Sequence, residues 1–161
     1  MTKAPRRLLV VCVGNPDRGD DGLGPLVAKA LTGALPADVR LACANGDVLG
    51  LIPEWSDVDG MICVDAAALL TTPGRIHRFD LATTELPVDM APPSSHALGL
   101  AEAIALARAL EQAPRQIIVY AVEGAEFGGG AAMTRAVAAA VDEVAGRIVA
   151  EVERLREFNR F

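Results

Sequence analysis

Leu8-Leu9-Val10-Val11-Cys12-Val13-Gly14-Asn15-Pro16-Asp17-Arg18-Gly19-Asp20-Asp21-Gly22-Leu23-Gly24 is the stretch whose reading decides the fold. The apolar run Leu8 to Val13 suits a strand buried on both faces. Turn residues follow, and from Leu23 the apolar residues Leu23, Val27, Ala30 and Leu31 recur at helical spacing, with Pro25 tolerated in the first turn. The whole reads as strand, loop, helix. Gly14 and Gly19 stand at the interval of a phosphate-binding loop, which next requires Lys and then Ser or Thr. Those places hold Asp20 and Asp21. Two carboxylates repel a phosphate, so the junction is better suited to a cation or to acid-base chemistry. The plain structural alternative is a solvated turn with an acidic helix cap. An EF-hand loop does not fit, because its alternating Asp and Asn positions are missing.

Beyond this junction the helix is expected to end near Gly33 to Pro36. Val39 to Cys43 reads as a second strand, Ala44-Asn45-Gly46-Asp47 as a turn, and Val48 to Trp55 as a short helix. Gly60-Met61-Ile62-Cys63-Val64-Asp65 is an apolar strand ending in a carboxylate, the form a parallel strand takes when its C-terminal edge carries function. Arg75 to Asp80 alternates in polarity like an edge strand, leaving His77 on its wet face. Ala82 to Pro93 has no period and reads as a loop over the top of the sheet. Ser94 and Ser95 suggest the cap of a helix with His96 in its first turn and Leu100, Ile104 and Ala107 as its apolar stripe. Gln116 to Val122 is β-branched and apolar, a core strand, and Glu123 to Gly130 is a glycine-rich loop. A last helix places Val137, Val141, Val144, Ile148, Val152 and Leu155 on one face.

This order implies a single-domain α/β three-layer sandwich spanning residues 1–161: a mostly parallel twisted sheet of about five strands with helices on both faces. Its ligands belong at the C-terminal ends of the strands. The composition agrees. The chain has 161 residues, 52% apolar and only 4% aromatic, so Val, Leu, Ile and Ala must fill one core. A net charge of −6 with no basic stripe argues against nucleic acid as a partner. Lys3, Arg6 and Arg7 precede an apolar run too short for a secretory signal, and no stretch reaches the length of a membrane span. A monomer in the cytoplasm is expected. The three cysteines, Cys12, Cys43 and Cys63, show no C-x-x-C spacing; Cys12 and Cys63 fall inside strands as small buried hydrophobes, and Cys43 differs in falling where a strand ends.

Asp20 and Asp21 after the first strand, Asp65 at the end of the third and His96 before a helix can converge at one edge. Two carboxylates and an imidazole suit a divalent transition metal with open coordination positions. These same residues carry a family resemblance. Gly14-Asn15 with Gly19-Asp20-Asp21-Gly22-Leu23-Gly24, then Val64-Asp65-Ala66, then Ser95-His96-Ala97-Leu98-Gly99-Leu100 resemble the hydrogenase maturation proteases, and the resemblance runs from about Leu8 to the last helix.

The resemblance implies an α/β sandwich and a metal-gated, aspartic-type endopeptidase. Such an enzyme trims a C-terminal peptide from the large-subunit precursor of a nickel-iron hydrogenase after nickel insertion. It also implies that Asp21, Asp65 and His96 are the metal-binding and catalytic residues, that the nickel belongs to the precursor, and that Asp20 is a neighbouring cap. Many members carry Asp-Gly-Gly-Thr after the second strand; here Cys43-Ala44-Asn45-Gly46-Asp47 stands there, which points to a different hydrogenase subgroup as partner. Two rival functions share the same residues. One is a nickel-binding, chaperone-like module that does not cut, and the other a metal-dependent amidohydrolase of a small molecule, which would need a deep enclosed pocket. No Ser or Cys triad spacing is present, which disfavours a covalent acyl intermediate.

Overall fold

Five strands, β1 (Leu8–Val13), β2 (Arg40–Ala44), β3 (Gly60–Ala67), β4 (Ile76–Asp80) and β5 (Gln116–Glu123), form one sheet in the order β2-β1-β3-β5-β4. The computed structural model describes residues 6–91 and 99–157. β1 pairs in parallel with β2 and β3, and β3 with β5; β4 closes the edge antiparallel to β5. Every residue of β1 is buried, as its unbroken apolar run requires of a strand covered on both faces.

Alternate positions of the strands serve two different layers. Leu8, Val10, Cys12, Ile62, Val64, Ile118 and Tyr120 pack with α1 (Leu23–Leu31) and α3 (Arg135–Glu157). Leu9, Val11, Met61, Cys63, Ile117 and Val119 pack with α2 (Leu100–Ala109) and with the 3-10 segment Leu49–Trp55, which buries Ile52 and Trp55. This is the expected sandwich. α3 presents Val137, Val144, Ile148, Val152 and Leu155 to the sheet, all buried, with Val141 at the margin. Glu151 is buried on the same side because Arg78 Nε (2.5 Å), Arg154 Nε (2.6 Å) and the Tyr120 hydroxyl (3.0 Å) all donate to it. Burial pushes its carboxyl up, and the hydrogen bonds from Arg78, Arg154 and Tyr120 outweigh that and leave it lowered.

Some boundaries differ from the sequence reading. β3 runs two residues past Asp65, since Ala66 and Ala67 are buried and stay in register with Val122 and Glu123 of β5. α2 starts at Leu100, with Gly99 as its N-cap and Glu102 accepting the Gly99 N–H at 3.1 Å. Ser94, Ser95 and His96, the expected serine-capped first turn, lie outside the described residues. The loop from Ala82 contains a short 3-10 turn, Val88–Met90, tied to the end of β3 by the Ala68 N–H donating to the Met90 carbonyl at 3.1 Å. Among the described residues no helix is long and apolar enough to cross a membrane.

The topology decides where the site lies. From β1 the chain goes out to β2 on one side, then crosses back to β3 on the other, so the connections leave β1 and β3 in opposite directions. That divergence opens a crevice above the C-terminal ends of β1 and β3, where open α/β sheets bind ligands.

Candidate active site

The loop leaving β1 is held by its own backbone. The Gly14 N–H donates to the Ala44 carbonyl at 2.9 Å, and the Asp17 N–H to Asn15 Oδ1 at 2.9 Å, an Asx turn that reverses the chain. Residues Gly19–Gly22 form a 3-10 turn. Gly14 has φ +154°, and a Cβ there would lie 2.0 Å from the carbonyl oxygen of Asp21, so the return of the loop onto β1 requires glycine. Asp21 is thereby set against the strand end. It is 3% exposed, and its Oδ2 accepts the Asn15 N–H at 2.8 Å.

Asp20 is not the helix cap expected of it, for the turn has no side-chain cap hydrogen bond. Its carboxylate is wholly buried and points the other way, into the loop between β5 and α3. Oδ2 accepts the N–H groups of Ala125 (2.8 Å) and Glu126 (3.0 Å), and Oδ1 accepts the Thr134 N–H (2.7 Å) and hydroxyl (3.0 Å). The Asp20 N–H completes the clamp on the Glu126 carbonyl at 2.7 Å. Asp20 therefore locks two loops together while its neighbour faces the crevice.

Asp65 lies on β3 in register with Ala121 of β5, and β3 packs directly against the 3-10 turn that carries Asp21. Its Oδ1 is buried and has no hydrogen-bond partner, a rare state for a carboxylate oxygen. Burial pushes its carboxyl well above the ordinary range, and repulsion from Asp21 adds to this against the opposing Ala66 amide. Asp21 and Asp65 are thus the two expected site residues that the structure places together. His96 lies outside the described residues, and among those described no trio of His, Cys, Asp or Glu forms a ready metal cage.

The remaining candidates have local duties or none. Asp47 Oδ1 accepts the Gly50 N–H at 3.1 Å, at the start of the 3-10 segment. Cys43 is exposed on the edge strand β2. Cys12 and Cys63 are buried; burial pushes the Cys12 thiol up to about 12 and that of Cys63 higher still, so neither supplies a thiolate near neutral pH.

A further buried carboxylate, Glu123, has no place in the sequence reading beyond the start of a glycine-rich loop. It is the last residue of β5 and fully buried. Oε1 accepts the N–H groups of Leu70 and Thr71, both at 2.6 Å, while Oε2 takes the Thr71 hydroxyl at 2.9 Å and His77 Nε2 at 2.7 Å. His77, expected to be merely exposed, is instead turned to Glu123 and stacked on Phe79 with ring centroids 6.1 Å apart. The signal was available: Glu123 ends an apolar strand just as Asp65 nearly does. Both oxygens of Glu123 are met, so it anchors the segment that follows β3, whereas Oδ1 of Asp65 has no partner.

The model of a known family, HycI hydrogenase maturation protease, matches residues 44–151. The hydrogenase expression/formation protein HupD of Rhodobacter capsulatus is 29% identical over 155 residues, covering 92% of this chain and 72% of that protein. Among solved structures, the hydrogenase maturating endopeptidase HybD from E. coli superposes with a TM-score of 0.77 at 22% identity, over 92% of this chain and 93% of that one. The hydrogenase maturation protease HycI from Thermococcus kodakarensis gives 0.73 at 21% identity, over 94% and 95%. At that level of identity the structural matches speak for the fold.

Proposed function

The chain belongs to the hydrogenase maturation protease family, and on that premise we propose that it is the endopeptidase that removes a C-terminal peptide from the nickel-loaded large-subunit precursor of a nickel-iron hydrogenase. The observation that carries the site assignment is the buried, unpartnered Oδ1 of Asp65 beside Asp21 at the crevice between β1 and β3. A fully paired carboxylate such as Asp20 or Glu123 is structural. One with an oxygen left unpartnered and crowded by a second carboxylate calls for a proton or a cation from outside.

The donor chemistry fits nickel carried by the substrate. Two carboxylates supply oxygen ligands, and His96, assigned by its motif, supplies an imidazole, the softer donor that suits a late first-row ion better than oxygen alone. Asp21, Asp65 and His96 are accordingly the catalytic and metal-recognising residues in this reading. A precursor that holds nickel brings the missing positive charge to Asp65 and Asp21. An empty one leaves the two carboxylates repelling each other and the scissile bond unpositioned. The aspartic type rests on the family resemblance; Asp21 and Asp65 lie at the crevice, and Cys12 and Cys63, buried as thiols, supply no thiolate nucleophile. The enzyme acts as a monomer in the cytoplasm.

The test uses intact-mass spectrometry. Incubation with nickel-loaded precursor should shorten it by one discrete C-terminal peptide, and empty precursor should keep its mass. Cleavage of both at comparable rates would remove the nickel gate. Binding of the loaded form without any change of mass would make the chain a chaperone-like module instead.

A further inference from the structure

One outer edge of the sheet is β4, which among the described residues pairs only with β5. The Glu123 N–H donates to the Arg75 carbonyl and the Leu81 N–H to the Ile117 carbonyl, both at 3.0 Å. In that antiparallel register His77 and Phe79 also turn their backbone to β5, so Ile76, Arg78 and Asp80 turn theirs outward. The Asp80 carbonyl is taken by the Thr83 and Thr84 N–H groups, both at 3.1 Å. The N–H and C=O groups of Ile76 and Arg78 have no backbone partner among the described residues, which makes them a short template for one more strand.

Basic side chains stand over this edge. Between β4 and the flank of α3 an open hollow of about 260 Å³ is lined by Arg78, Tyr120, Arg147, Ala150, Glu151 and Arg154. Arg147, Glu151 and Arg154 fall on one face of α3, and the small Ala150 leaves the space between the two arginines unfilled. Glu151 takes Arg78 through Nε alone, so the two terminal nitrogens of that guanidinium remain for another acceptor. Arg154 gives Glu151 Nε and one terminal nitrogen (2.6 and 2.5 Å), and Arg147 gives one to Glu143 (2.8 Å). Three guanidiniums thus meet two carboxylates, a local positive surplus on a chain whose net charge is −6.

We propose that the β4 edge is a docking strand for an acidic, extended polypeptide segment of a protein partner, which pairs with Ile76 and Arg78 and lays carboxylates into the arginine hollow. The chemistry of the edge selects this occupant. Guanidinium forks match carboxylates bidentately, whereas an uncharged strand would cover them without compensation and a basic one would be repelled. A small oxyanion would engage the arginines and leave the backbone of Ile76 and Arg78 unused. Side chains two residues apart on an added strand lie on one face about 7 Å apart, so acids at alternate positions can reach Arg78 and a helix arginine together. Asp80, whose Oδ1 accepts the Ala82 N–H at 3.0 Å, ends the basic run, so the acids belong beside Arg78 and away from that end. Tyr120 packs on the α1 and α3 side of the sheet with Val64, while Asp65 lies on the α2 side, so a segment docked here leaves the crevice free.

NMR titration of the full chain with a capped peptide of alternating Val and Glu, carried to a few millimolar, tests this. Shifts should centre on the Ile76, Arg78 and Asp80 amides and on the side chains of Arg78, Arg147 and Arg154. Exchanging each Glu of the peptide for Gln should weaken binding by about tenfold or more, and added salt should weaken the Glu peptide alone. Methylation of alternate peptide nitrogens, which keeps the charge and removes the strand donors, should abolish it. Arg147→Glu, at a half-exposed position on the helix surface, should weaken binding by about tenfold while shifts outside α3 stay those of wild type. No shift at the highest concentration, or equal binding of the Glu and Gln peptides, would overturn the proposal. So would a methylated peptide that binds as tightly, or pyrophosphate that moves the arginine signals when the peptide leaves the β4 amides still, since either would make the hollow an anion site without strand addition.

Discussion

An Oδ1 with no donor makes Asp65 a residue that the fold tolerates but does not need. Burial and the nearby Asp21 raise its carboxyl well above the ordinary range, so the charged form costs more in the folded chain than in the unfolded one. The sign follows. Its contribution to stability is fully present below the ordinary carboxylate range and is lost as pH rises through the raised folded value. Asp65→Asn keeps the shape without the charge. At pH 8 it should gain about 1 kcal/mol, raising Tm by about 2–4 °C, while cleavage falls about a hundredfold or more. Thermal melts and mass assays check both halves, and an unchanged or lower Tm would mean that the charge is already compensated. Asp20→Asn is expected to do the opposite. Its amide nitrogen cannot accept the Ala125 and Glu126 or Thr134 N–H groups, so about 2 kcal/mol is lost and Tm drops by about 4–8 °C. Stability equal to wild type would return Asp20 to a surface role. The two neighbours look alike in sequence because what separates them, the Ala125 and Thr134 amides, lies more than a hundred residues away along the chain.

Among the elements, β5 and the segment after β3 are joined through Glu123. Burial pushes its carboxyl up, but the bonds from His77, the Thr71 and Leu70 amides and the Thr71 hydroxyl prevail and hold it down to about 2. A depressed carboxyl contributes stability that is present above its ordinary value and lost as pH falls through the folded one. Urea unfolding of wild type should therefore weaken between the ordinary carboxylate range and about pH 2, and Glu123→Gln should be less stable at pH 6 and show a flatter acid limb. The same acid limb in both proteins would place the lability elsewhere. Long periodic elements were legible in the sequence: β1, β5 and α3 rest on unbroken or strictly spaced apolar runs, and for α3 the Ala-rich surface favoured a sheet-covering helix over a coiled-coil seam. Element ends were less so. β3 outruns Asp65 because Ala66 and Ala67 pair with β5, and no residue type in Ala66-Ala67-Ala68 marks where that pairing stops. His77 was read from the polarity of its own strand, whereas its partner is set by antiparallel register with β5, which brings it opposite Ala121, two residues before Glu123.

For the molecule as a whole, the order β2-β1-β3-β5-β4 brings chemistry from two distant stretches to one crevice. Strand order itself is not written locally in the sequence; what was legible was that carboxylates recur after apolar strands, and parallel connection puts all such ends on one side. The choice of Asp21 and Asp65 from twenty-one acidic residues came from that rule and from the family motifs together. The hollow between β4 and α3 was not legible at all, because its walls come from β4, β5 and α3, which only the strand order brings together. In the proposed reading these two carboxylates perform cleavage and are not needed to hold the fold. Cleavage of nickel-loaded precursor by wild type, Asp21→Asn and Asp65→Asn, with each enzyme first shown to be folded by its melting curve, tests that claim most directly. Wild type should release one discrete C-terminal peptide, and both variants should cut at a rate at least about a hundredfold lower. Release of the same peptide at the wild-type rate by a folded Asp65→Asn enzyme would contradict it.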